Sequence, residues 1–110
     1  MNELSKKLGA FKGVSNMRTN TGSAANQFEI DFESGTIFQS YNSIIVVMVR
    51  EPKLNVPVTH GTWETNTYIG EDFEYSRTTM KYLSQFLGHG VSETRKKLES
   101  GDYKMIKDNN

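Results

Sequence analysis

Between Asn26 and Val49 the chain passes through three textures: a strict polar–apolar alternation, an uncharged polar run, and an unbroken apolar stretch. Phe28, Ile30 and Phe32 fall on one side of an extended chain, and Gln27, Glu29, Asp31 and Glu33 on the other. That period of two marks a half-buried strand. Ser34-Gly35 is turn chemistry, with glycine supplying a positive φ. A short loop there pairs Phe32 with Ile37 and Phe28 with Tyr41, whereas a three-residue loop brings Phe38 inward instead. Tyr41-Asn42-Ser43 reads as a second turn, and Ile44 to Val49 as a strand covered on both faces.

Arg50-Glu51-Pro52 closes that strand, and Asn55 to Trp63 reads as an irregular edge strand because Pro57 interrupts Val56 and Val58. Thr65, Asn66, Thr67 and Gly70 form a polar connection to Ser76, the expected cap of a helix over Arg77 to Leu87 that stops at Gly88. Met80, Leu83 and Leu87 make its apolar stripe, facing a core that includes Ile44, Val46 and Met48. Ser92 opens a shorter helix ending at Ser100-Gly101, with Leu98 as its apolar contact. Tyr103, Met105 and Ile106 add a last strand, and Leu4, Leu8 and Phe11 line an N-terminal helix. Strands followed by helices predict an α+β domain: a small antiparallel sheet of three to five strands with two or three short helices on one face. Residues 1–110 form one domain, in which 1–16 are a helical N-terminal extension.

The 110 residues contain no cysteine, so disulfides and thiolate metal sites are excluded and a cytosolic compartment is expected. The N-terminus lacks a signal-peptide core, and no run reaches the ~20 apolar residues of a membrane span. The net charge is zero, from thirteen basic and thirteen acidic residues, yet it is segregated: an acidic middle from about residue 26 to 75 lies between basic ends.

Chemistry-bearing residues are sparse. His60 and His89 are the only histidines, and neither has a carboxylate at a motif spacing. Glu71, Asp72 and Glu74 lack the alternating ligands and turn glycine of a calcium loop. No serine or threonine sits in a G-x-S-x-G context, and Leu87-Gly88-His89-Gly90 reads as helix termination rather than a phosphate loop. The expectation is a protein that is not an enzyme, with no catalytic residue, cofactor or metal. Arg77, Lys81, Arg95, Lys96, Lys97 and Lys104, with Tyr103 among them, have the composition of a nucleic-acid surface, although Glu93, Glu99 and Asp102 interleave with them as on a solvated helix face. Gln39 to Ser43 is either an adaptable recognition surface or a plain hairpin turn whose Tyr41 closes the core.

Five ordered blocks, "RTNTGSAANQFEI", "GTIFQSYNSII", "FEYSRTT", "QFLG" and "ETRKKLESGDYKM", make the chain resemble a family of small uncharacterised proteins of tailed bacteriophages. The resemblance implies a phage origin and work in the cytoplasm of a bacterial host, and it brings no activity with it. Members of that family begin near the first block and pass quickly from the third strand to the aromatic-acidic-Tyr box, so residues 1–16 and 50–70 are expected to be additions where a private partner binds. The leading expectation is a phage accessory protein that binds a bacterial host protein, such as a defence component, and inhibits or redirects it. Trp63, His60, Tyr68 and Tyr41 are its contact candidates, with Trp63 either the anchor or a cover folded back over the sheet. A nucleic-acid-binding module on the basic helices is the alternative, and a nucleotide-sequestering protein with a pocket lined by Tyr41, Trp63, Tyr68 or His60 is a further one.

Overall fold

A computed structural model describes residues 2–19, 22–52, 63–70 and 77–106. Val56, Pro57, Val58, His60, the Glu71, Asp72 and Glu74 cluster and the expected cap Ser76 lie outside these. In chain order the elements are α1 (Asn2–Leu8), β1 (Phe11–Thr19), β2 (Gly22–Phe32), β3 (Gly35–Ser40), β4 (Ser43–Pro52), β5 (Trp63–Ile69), α2 (Arg77–Leu87), α3 (Val91–Ser100) and β6 (Lys104–Met105). The first five strands form an antiparallel meander, and β6 joins β5 in parallel, so the sheet is six-stranded and mixed. The α2–α3 pair supplies the crossover that a parallel connection requires.

The sheet exceeds the expected three to five strands because two were missed. β1 carries no sustained period of two, and its pairing with β2 is interrupted by irregularities between Phe11 and Gly13 and between Asn16 and Arg18. Phe11 therefore begins a strand and does not belong to the N-terminal helix. β5 occupies the segment read as a polar connection: Trp63 to Thr67 pair with Pro52 to Met48, and only Tyr68 and Ile69 have a strand on their other side. An edge position tolerates threonine and asparagine, which hides the strand in the pattern.

Glu33-Ser34 links β2 to β3, pairing Phe32 with Gly35, Ile30 with Ile37 and Phe28 with Gln39. The register differs by two residues from the expected one, and because two is the side-chain period every residue keeps its face. Gly35 is required by packing, since a Cβ there would run into the Met48 carbonyl oxygen and Leu8 Cδ2. At the other end of the hairpin, a shift between Phe38 and Gln39 leaves Ile45 as an extra residue between Ile44 and Val46. This bulge turns both Ile45 and Val46 toward one face and leaves Ile44 37 % exposed, so Ile44 is not a core residue. Tyr41, 57 % exposed at the turn, does not close the core either.

The helices do not share one face. Leu4 and Leu8 of α1 bury themselves against Ile37, Val47 and Val49, with Ile30, Phe32, Tyr68 and Ile106 around them. Met80, Tyr82 and Leu83 of α2 and Leu98 of α3 pack on the opposite face against Phe38, Ile45, Val46 and Ile69. β4 is thus covered on both sides, as its unbroken apolar run predicts. Gly88 (φ +78°) ends α2 and Gly101 (φ +77°) ends α3, donating to the Lys97 carbonyl. Gly90 is the N-cap of α3, which places Ser92 inside the helix.

Candidate functional site

On the α2–α3 face, at the end nearest the Glu33-Ser34 turn, the sheet opens into a cleft of about 290 Å³ lined by Glu33, Ser34, Gly35, Thr36, Met48, Arg50 and Thr65. An adjoining hollow of about 210 Å³ extends it past Ser34 and Arg50 to Trp63. Strand periodicity makes this wall, because Thr36, Met48, Arg50, Thr65 and Trp63 project to one side in neighbouring strands. The Arg50 N–H donates to the Ser34 carbonyl at 2.9 Å, tying β4 to the turn. The Arg50 guanidinium stands 5.9 Å from the centre of the Trp63 ring, and Trp63 remains 43 % exposed. An aromatic plate held by a cation beside a methionine floor can take an apolar side chain and a neighbouring carboxylate. Trp63 does not fold back into the core.

The opposite face of the same strands holds a buried ionic cluster. Glu51, 6 % exposed, accepts from Lys7 Nζ at 2.5 Å, the Tyr68 hydroxyl at 2.6 Å and Asn66 Nδ2 at 3.0 Å. Burial alone would raise the Glu51 pKa, but the three hydrogen bonds and the Lys7 charge together hold it below the usual carboxylate value. Burial, then the bond and charge of Glu51, push the Tyr68 phenol up. Lys7 thereby joins the basic N-terminal segment to the acidic middle, and α1 is locked onto the sheet. Sequence patterning missed this cluster because Lys7 and Glu51 share no motif. The alternation Glu64, Asn66, Tyr68, read as a strand, was the available signal.

A second polar group sits between β2, β3 and α2. Gln27 is 1 % exposed with neither amide atom hydrogen-bonded among the described residues, and its register partner Ser40 places Oγ 3.3 Å from Thr79 Oγ1. Asn26 (φ 62°) and Tyr41 (φ 55°) both adopt the left-handed conformation, and the Tyr41 N–H donates to the Asn26 carbonyl at 2.6 Å. All five of these residues, Asn26, Gln27, Ser40, Tyr41 and Thr79, come from the sequence blocks set out above.

The contact candidates do not converge. Trp63 and Tyr68 project from opposite faces of β5, and Tyr41 lies at the far end of the ten-residue β4. Among the described residues these three line no common cavity. His89 was read without a carboxylate partner, but Nδ1 lies 3.3 Å from Glu93 Oε2, one helical turn on. Arg77, Lys81, Arg95, Lys96 and Lys104 are exposed and Lys97 half-buried, with Glu93, Glu99 and Asp102 exposed among them. Among the described residues no group of carboxylates and histidines could hold a metal ion, and no helix is long and apolar enough to cross a membrane.

No curated protein and no solved structure shows significant similarity to the chain. Residues 11–104, running from the first residue of β1 into β6, match a family of unknown function, DUF8033, and the chain belongs to that family.

Proposed function

We propose that the chain is a non-enzymatic accessory protein of phage origin that acts in the bacterial cytoplasm by binding a host protein, such as a defence component, and inhibiting or redirecting it. The observation that carries this reading is the exposed Trp63 plate, stacked with Arg50 over an open cleft at the sheet end. Tryptophan and arginine dominate binding energy where they lie together at a protein interface. The partner segment that fits is an apolar side chain flanked by a carboxylate, the first to rest on Trp63 and Met48 and the second to meet Arg50. Tyr41, exposed at the far turn, is a second contact for a partner that spans the sheet. Native pull-down from bacterial lysate tests the reading: one specific protein recovered reproducibly supports it, and repeated recovery of none removes it.

A further inference from the structure

The outer edge of β5 is open over most of its length. β6 pairs there only with Tyr68 and Ile69, so from Trp63 to Thr67 no strand lies alongside among the described residues. Two bonds at the far end fix the backbone polarity of that edge. The Ile69 carbonyl accepts from the Ile106 N–H at 2.8 Å on the outer side, and the Gly70 N–H donates to the Ile45 carbonyl at 3.1 Å on the inner side. In an extended strand the N–H and C=O of one residue point the same way and alternate between neighbours. Trp63 and Thr65 therefore direct their N–H and C=O groups outward, while Glu64 and Asn66 turn theirs to β4. Pro52, which has no N–H to give, stands opposite Trp63, whose backbone faces away from it.

The two edges of the sheet are built differently. β1 carries two irregularities together with Lys12 and Arg18, and bulges and basic side chains keep an edge from recruiting another strand. β5 has neither: its pairing with β4 runs without a shift from Ile69 to Trp63, and the stretch Trp63-Glu64-Thr65-Asn66-Thr67 contains no lysine and no proline. The molecule already adds β6 to this same edge.

A row of alternating outward donors and acceptors selects an extended chain, whose backbone supplies affinity and whose alternate side chains supply specificity. A two-fold pair of β5 edges is opposed at both central registers. Centred on Glu64, it puts Glu64 opposite Glu64; centred on Thr65, it brings the chain entering the second β5 against Lys104. Register also sets the side chains of the occupant. A residue opposite Trp63 projects to the cleft face and rests against the ring. One opposite the half-buried Glu64, on the α1 face, is complementary when basic, and one opposite Thr65 lies in the row of Arg50 and is complementary when acidic. We infer that the open edge of β5 takes up an extended segment of the partner protein as an added strand, apolar, basic and acidic at the successive positions opposite Trp63, Glu64 and Thr65. This rests on the reading of the Trp63 cleft as a protein-binding site, and it gives the bound segment its conformation and its pattern.

The test uses the full chain and the labelled heptapeptide Thr-Glu-Lys-Ile-Lys-Glu-Thr, followed by fluorescence anisotropy. Its sequence reads the same from both ends, so isoleucine, lysine and glutamate meet Trp63, Glu64 and Thr65 whichever way the strand runs. Saturable binding is expected, with the charge-swapped peptide Thr-Lys-Glu-Ile-Glu-Lys-Thr at least tenfold weaker. Only alternate amides of an added strand face β5. N-methylation of the isoleucine and N-methylation of both lysines should therefore differ, one abolishing binding and the other leaving it within threefold. Thr65→Pro removes an outward N–H without touching the β4 ladder, so it should melt within a few degrees of wild type and bind the peptide at least tenfold more weakly. Thr65→Ala should bind within threefold of wild type. If Thr65→Pro fails to fold, the methylated peptides decide. Absent binding, equal binding of both charge patterns, a like effect of both methylations, or indifference to a folded Thr65→Pro would overturn the inference. So would a wild-type dimer in sedimentation that Thr65→Pro dissociates, since a second copy would then hold the edge. A captured host protein that Trp63→Ala releases and Thr65→Pro does not would end strand addition and leave the cleft reading standing; the expected peptide results with no host protein captured would do the reverse.

Discussion

Replacing Glu51 with leucine tests whether the buried cluster is a designed contact between α1 and the sheet. The variant strips the Glu51 acceptor from two half-buried donors, the Tyr68 hydroxyl and the Asn66 amide, the second of which keeps a longer 3.5 Å contact to Glu64 Oε1. A buried donor left unpaired costs about 1–3 kcal/mol, and partial access to water puts both near the lower end. The Lys7 side chain is 41 % exposed, so its ammonium turns to solvent at little cost. The leucine regains up to ~1 kcal/mol by apolar contact, which leaves a net loss of about 1–3 kcal/mol. Urea unfolding followed by circular dichroism, with an unchanged m-value, measures it. Adding Tyr68→Phe should return ~1 kcal/mol, because removing both partners of a hydrogen bond is nearly neutral while removing one is not. A Glu51→Leu variant within ~0.5 kcal/mol of wild type, or a double variant whose losses simply add, would refute the reasoning.

Three further outcomes follow from the same geometry. Because folding lowers the Glu51 pKa, its contribution is complete above the ordinary value of 4.5 and disappears as pH falls through the folded value. Wild type should therefore lose its stability advantage over Glu51→Gln below about pH 4.5, and an advantage undiminished in strong acid would contradict this. Gly35→Ala should cost ~1–3 kcal/mol by forcing the Met48 carbonyl and Leu8 apart, and unchanged urea unfolding would show that the approach is looser. His89→Ala should leave host-protein binding intact in a folded chain; complete loss would mark the His89–Glu93 pair as part of the function.

The fold was legible where burial imposes a period. The alternation from Gln27 to Glu33 located β2, the run Ile44 to Val49 located a doubly covered strand, and Met80, Leu83 and Leu87 located α2. Legibility failed where the chain departs from regular pairing. β1 is an interrupted edge strand, and β5 is polar along its outer edge. The β4 bulge breaks the alternation that would have put Ile44 inside. The second covered face was foreshadowed by Leu4 and Leu8, but nothing in the local pattern says which side of a sheet a short helix takes. Trp63 was identifiable as a contact candidate, whereas its partner Arg50 and the floor residue Met48 depended on the β4–β5 register, which a misassigned strand concealed.

The most direct test of partner binding is the affinity of the captured host protein for wild-type chain and for Trp63→Ala, measured by isothermal titration alongside thermal unfolding. With Trp63 as anchor, the variant should melt within a few degrees of wild type while affinity falls by ~2 kcal/mol or more, near thirtyfold. An early-melting variant whose folded fraction binds normally, or a stable variant with wild-type affinity, would contradict the Trp63 cleft as the site of recognition.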